Sequence, residues 1–380
     1  MPRIPKPTTT PRWKPLALPP EKQMGIIPSN KNIPLTHILH KVPLRKSPTL
    51  LLVTKSHAAE LISPQIQTHL SHEATLRSSP IIAAVVDALP LTQHGCEGIG
   101  YLFPSEAIQP PQDKATPGRI TFSITAKGCQ PIPSHVKASL PLTETLFTTA
   151  MEHTLLSFLP YHPMAVWPSV EVGITVPDIP RTYLPLEKLT PWRTVTECWG
   201  NILRTVVVPD GGKEVPASLE LEAEVQKRGG VEGGVWALIY PQKYLGTEHI
   251  DIKASSPFAL SDDVKLVRVV SGGGGWGAKR GLLSLDPDPV HGEVVKPDDA
   301  ISFYTAVERK GVCLEEGLRF GVAGEEGDQE VMEGGIRKGV FGALSEKGFI
   351  VCWEKKGKIP AWKKVDVPLA TLTCSDSSEE

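Results

Sequence analysis

The sequence predicts an α+β protein, with a mixed α/β N-terminal part followed by a β-rich C-terminal part. Three observations carry this expectation. Apolar runs of strand length are interleaved with helical patterns up to about residue 230. Beyond that point short strands alternate with glycine turns. Proline, at 37 of 380 residues, is about twice its usual share, which argues against a helical bundle because proline breaks helix interiors.

Length and composition set the frame. A chain of 380 residues predicts two domains, or one large domain with extensions. Hydrophobic residues at 40% and charged residues at 22% are ordinary for a globular protein. Collagen is excluded, because glycine does not recur at every third position. No run of 18 apolar residues occurs, so no membrane span is expected.

Residues 1–48 read as a proline-rich, basic lead-in that is expected to be disordered. Residues 1–60 hold ten Lys/Arg against two acids, Glu21 and Glu60, which leaves 30 Lys/Arg against 40 acids in the remainder. Arg3, Lys6, Arg12 and Lys14, with no acid nearby, match the charge of a mitochondrial presequence. Pro2, Pro5, Pro7, Pro11, Pro15, Pro19 and Pro20 prevent the amphipathic helix that such a signal needs. No apolar core of a secretory signal follows the first basic residues. An intracellular protein is expected, with mitochondrial and cytoplasmic locations both open.

A domain of mixed α/β character is expected over 49–229. Thr49 to Thr54 is an apolar run of strand length. Ser56 to Ile62 reads as a short helix ended by Pro64. Pro80 to Asp87 and Gly98 to Phe103 are further strands, giving a β-α-β beginning. Prolines and Gly118 mark residues 104–118 as a loop. Arg119 to Thr125 alternates as a half-buried strand does. Leu142 to Leu159 has 3.6-residue spacing and predicts a helix. Residues 164–186 look strand-like, and Thr194 to Val208 begins helix-like and ends β-branched. Pro216 to Arg228 predicts a helix, with proline and acids early, Lys227 and Arg228 late, and Gly229-Gly230 as a stop.

The β-rich domain is expected over 230–372, with strands at 235–240, 264–270, 301–307, 318–322 and 349–353 and a polar tail at 373–380. Its strongest local feature is the segment Lys265 to Leu283, in which a strand runs into Ser271, Gly272, Gly273, Gly274, Gly275, Trp276 and Gly277, then Lys279 and Arg280. Glycines let the backbone turn tightly and present N–H groups that can cradle an anion. Lys279 and Arg280 would add attraction for phosphate or carboxylate, and Trp276 could cover a ligand. Gly272, Gly274 and Gly277 satisfy a dinucleotide-binding spacing literally. Asp286-Pro287-Asp288-Pro289 cuts short the helix that spacing requires. A tight β connection is the structural alternative.

Lys355, Lys356, Lys358, Lys363 and Lys364, interleaved with Trp353 and Trp362, could grip single-stranded nucleic acid or form a charged turn. The pairs His37/His40 and His69/His72 have helical spacing but lack a third ligand, so no metal site and no cofactor is predicted. Glu315-Glu316 and Glu325-Glu326 read as solvated loops, and no catalytic residues are assigned. The six cysteines, at 96, 129, 198, 313, 352 and 374, show no metal or disulfide spacing and read as reduced, mostly buried thiols.

Three blocks together carry a resemblance: Leu140 to Phe147; Leu189 to Val195 with Gly200 to Arg204; and Pro216 to Glu222. With the Ser271–Leu285 glycine segment they resemble the fungal FIST-domain family over roughly residues 48–310. The resemblance implies an intracellular sensory domain that binds small ligands such as amino acids, and an α+β fold in two halves. It transfers no catalytic residue.

The function expected from these readings is non-enzymatic binding or sensing of a small anionic ligand at Ser271–Arg280. One alternative is a mitochondrial RNA- or ribosome-associated factor using the basic segments. Another is an enzyme acting on an anionic metabolite, for which Ser271, Asp286 or His291 would have to serve.

Overall fold

The computed structural model describes residues 23–106, 108–109, 116–127, 135–178, 180–208, 212–231, 233–241, 264–272, 281–287, 294–308, 316–324, 335–354 and 361–375. From residue 23 the chain forms β1 (Met24–Pro28), α1 (Leu35–Leu39), β2 (Thr49–Thr54), a 3-10 turn (Lys55–His57), α2 (Ala58–Leu61), α3 (Pro64–Arg77), β3 (Ile81–Val86) and β4 (Gly98–Leu102). The two apolar runs become a parallel pair, β2 beside β3, with Thr49 opposite Ile81. All residues of both strands are buried, as a sheet covered on both faces requires. Leu51, Val53, Ala83 and Val85 face the helices. Leu50, Leu52, Ile82 and Ala84 face the opposite layer.

Pro64 starts a helix as well as following one. Ser63 Oγ accepts the Ile66 N–H at 3.4 Å, and Pro64 takes the first helical position, where its missing N–H costs nothing. Ser78, at φ 50°, closes α3 in the left-handed region. Ile66, Leu70 and Ala74, four apart, bury one face of α3 against the sheet.

The chain continues through β5 (Ile108–Gln109), β6 (Arg119–Ala126), β7 (His135–Pro141), α4 (Leu146–Thr149), β8 (Leu155–Phe158), β9 (Ala165–Val166), β10 (Ser169–Val176) and β11 (Arg181–Tyr183). Here the predicted helix Leu142 to Leu159 fails. Only Leu146–Thr149 is helical, and Leu155–Phe158 joins the first sheet as a strand. The cause lies in its threonines, which are poor helix formers. Thr145 and Thr149 Oγ1 both bond Thr154 Oγ1, at 2.7 and 2.9 Å, and Thr149 Oγ1 donates to Thr145 Oγ1 at 3.0 Å. Leu146 and Phe147 are left exposed.

A closed barrel follows. It comprises β12 (Leu186–Lys188), β13 (Arg193–Trp199), β14 (Ile202–Val207), β15 (Glu214–Pro216), α5 (Ala217–Lys227), β16 (Val235–Tyr240), β17 (Lys265–Gly272), β18 (Leu283–Leu285) and β19 (Ala300–Ala306). The circuit β13-β14-β18-β17-β16-β19 returns to β13, and every pairing in it is antiparallel. β12 shares the β13 edge of β19. Residues 194–208 are therefore a hairpin, turning at Gly200 (φ 61°), and the helix-like beginning expected there is absent. The barrel is filled by Val195, Leu203, Val206, Ile239, Leu285 and Phe303, with Leu221 of α5 packed among them.

The last stretch supplies β20 (Gly317–Val322), β21 (Arg337–Lys338), β22 (Val340–Ser345), β23 (Phe349–Glu354), β24 (Ala361–Val365) and β25 (Thr371–Ser375). These strands return to the first part of the chain. The seven-stranded sheet runs β21-β1-β4-β2-β3-β8-β9, the six-stranded sheet β24-β23-β7-β6-β10-β5, and the four-stranded sheet β11-β25-β20-β22. The three enclose one apolar layer. At its centre Phe122 stacks on Phe320 with ring centroids 4.3 Å apart, and Phe341 meets Phe122 edge-on at 6.2 Å.

The α+β expectation is overturned. Among the described residues 49% are in strands and 15% in helices, so the protein is mostly β in both parts. The division expected near residue 230 falls inside the barrel, between α5 and β16. Within the expected lead-in, β1 and α1 belong to the core, with Ile26 and Leu35 fully buried. Residues 373–375 of the expected tail lie in β25.

The run Val-Trp-Ala-Leu-Ile-Tyr of β16 is continuously apolar because it serves two cores. Ala237 and Ile239 point into the barrel, while Trp236, Leu238 and Tyr240 pack into the sandwich layer. Trp236 Nε1 donates to Asp366 Oδ1 at 3.0 Å across this junction.

Candidate functional site

A cleft of about 100 Å³ opens where the three sandwich sheets meet. Its walls come from the ends of five strands. Met24 and Leu102 belong to paired ends of β1 and β4, Ile174 and Val176 to the end of β10, Leu318 to the start of β20, and Cys374 to β25. Among the described residues of the lining, Gln23, Thr175 and Glu316 are the polar side chains apart from the thiol, and the rest are apolar or glycine. This composition, apolar walls with a few placed polar groups, is that of a small-ligand site.

Backbone pairing holds the walls. Phe103 N–H donates to Gln23 O at 2.7 Å, Gly339 N–H to Met24 O at 3.1 Å, and Gly317 N–H to Gly339 O at 2.7 Å. Leu318 lies opposite Cys374 in the β20–β25 ladder. Gly339 has φ +80°, and a Cβ there would stand 3.1 Å from Glu316 Oε2. A side chain would be strained there and would crowd Glu316. Thr175 is fixed twice, its N–H donating to Ser105 Oγ at 2.7 Å and its hydroxyl to Glu106 Oε1 at 3.1 Å. Burial pushes the Cys374 thiol well above its ordinary range, so it stays protonated and neutral.

Of the residues singled out in the sequence as a ligand loop, the two described ones, Ser271 and Gly272, do not line this cleft. Ser271 and Gly272 end β17, exposed, opposite Ser284 and Leu283 of β18. Gly273, Gly274, Gly275, Trp276, Gly277, Lys279 and Arg280 lie outside the described residues. On the far side Gly281 O accepts the Ser218 N–H of α5 at 3.3 Å.

The basic cluster is divided. Lys355, Lys356 and Lys358 lie outside the described residues. Lys363 is buried and donates to Val264 O at 2.9 Å. Lys364 Nζ sits 2.8 Å from Asp286 Oδ2 and 3.1 Å from Asp366 Oδ2. These bonds raise its pKa against the opposing cost of burial. Both lysines join the sandwich to the barrel. His291 lies outside the described residues. Cys96, Cys198, Cys352 and Cys374 are free thiols, and no group of three metal-ligating side chains exists among the described residues.

Sequence reasoning missed the cleft because its members are strand ends brought together by long-range pairing. Glu316 was read only as a solvated acid. The one local hint is the Glu-Gly step before an alternating strand, a pattern too common to mark a site. Among the described residues no helix is long and apolar enough to cross a membrane. Comparison with known protein families, with curated proteins and with solved structures finds no match to the chain.

Proposed function

We propose that the protein binds a small molecule in the cleft between the three sandwich sheets. The observation that carries this reading is the lining itself: apolar side chains from four strands, three polar side chains and a neutral thiol from a fifth strand, around about 100 Å³. The lining favours holding a ligand over transforming it, because its thiol is kept protonated by burial and so is a poor nucleophile.

A ligand here would touch strands from both the early and the late part of the chain, β1, β4 and β10 on one side and β20 and β25 on the other. It would stabilise their assembly by mass action, which is how a binding protein acts as a sensor. Ligand-observed NMR with a set of small fragments tests this. Gln23→Trp, at the half-buried edge of the lining, should abolish binding while leaving the thermal transition in place. Fragments that bind equally to Gln23→Trp, or no binding at all, would overturn the reading.

A further inference from the structure

We infer that the cleft selects a small primary ammonium compound with an apolar tail and rejects carboxylates. This rests on the binding reading above and narrows it. Glu316 is the carboxylate of the lining, and no Lys, Arg or His is among the described residues that line it. Glu316 is exposed, and Gly339 lets its carboxylate lie close against the backbone beside the opening. A second carboxylate borders the site, since Thr175 of the lining donates its hydroxyl to Glu106. Arg337 and Lys338 are exposed on β21 and lie outside the lining.

The physical consequences have one sign. An ammonium group seated at the mouth is attracted by Glu316, while a carboxylate there is repelled. Farther in, Met24, Leu102 and Ile174 provide apolar contact for a short alkyl chain, worth about 0.8 kcal/mol per buried methylene as a general rule. The neutral Cys374 thiol adds no charge that would oppose the tail. An anionic ligand, the class expected for the glycine segment, finds no cation among the described residues of this lining.

The test compares n-pentylamine, pentan-1-ol and butanoate, three probes of similar size, by competition in ligand-observed NMR at neutral pH. The expected order is amine, then alcohol, then carboxylate, with up to about a fivefold advantage for the amine over the alcohol, the upper range for one exposed ion pair. Glu316→Gln should remove most of that advantage, and its exposed position keeps the fold intact. Raising the salt concentration should narrow the gap between amine and alcohol. If all three probes bind with equal affinity, or the carboxylate binds best, the ammonium inference fails and the cleft stands as a binding site. If none binds, the cleft reading fails and takes the inference with it.

Discussion

The barrel and the sandwich differ most in where their strands come from. All the barrel strands lie in one continuous stretch, Leu186–Ala306, and the sheet closes on itself. The sandwich is assembled from residues 24–183 and 317–375, with β1 beside β21, β7 beside β23 and β11 beside β25. A closed sheet has no free edges to cover, and the longest span closed within its circuit, Arg193 to Ile301, is about a hundred residues. The sandwich pairs segments separated by up to hundreds of residues, which costs more loop-closure entropy and slows folding. The cleft lies where the early and late segments meet, so it exists only once both segments have come together.

Removing residues 308–380 should break this contrast most severely. The sandwich would lose strands from all three of its sheets and should no longer fold cooperatively, while the barrel should stay resistant to limited proteolysis. Equal loss of both parts would show that the barrel depends on the sandwich. Next in size is Phe320→Ala, which removes the ring stacked on Phe122 at full burial. It should cost about 3–5 kcal/mol, read as a lower urea midpoint for the sandwich with the barrel little changed.

Within the barrel, Glu220→Ala should cost about 3 kcal/mol, because it strands the buried Arg193 guanidinium that Glu220 accepts from on α5. Hydrogen exchange should report that loss in β13 and α5. A smaller effect, about 1–3 kcal/mol, is expected from Asp366→Ala, which leaves the buried Trp236 Nε1–H without its acceptor. That variant should loosen the docking of barrel on sandwich without unfolding either, seen as an altered Trp fluorescence spectrum before the main transition.

The smallest effect is a change with pH. Burial pushes the Cys96 thiol from its ordinary 9.0 up to about 12. Because the folded chain holds this proton more tightly, the contribution is intact below pH 9 and is lost as the pH rises toward 12. Thermal melts of Cys96→Ala should show a shallower alkaline decline than the parent chain. An identical decline would remove Cys96 as a contributor.

Much of this contrast was legible in the sequence at the level of single strands. Thr49 to Thr54, Arg119 to Thr125, Val235 to Tyr240 and Phe349 to Trp353 all declared themselves by apolar runs or alternation, and each is a strand in the structure. The helix Ala217–Lys227 was equally plain from its charges and its glycine stop. Partner choice was not legible. Nothing near Arg181 announces pairing with Thr373, and the apolar face of β16 gives no sign that it serves two cores. Leu142 to Leu159 misled because helical spacing outvoted its threonines, whose hydroxyls prefer one another. The cleft was hidden for the same reason as the pairings, and Gly339 reveals its purpose only beside Glu316.

The most direct test of the account is hydrogen exchange of the full chain with and without saturating n-pentylamine, read peptide by peptide. The account predicts added protection in the peptides covering β1, the end of β10, β20 and β25, with β13 to β19 unchanged. Protection confined to the barrel, or none anywhere under saturating amine, would contradict it.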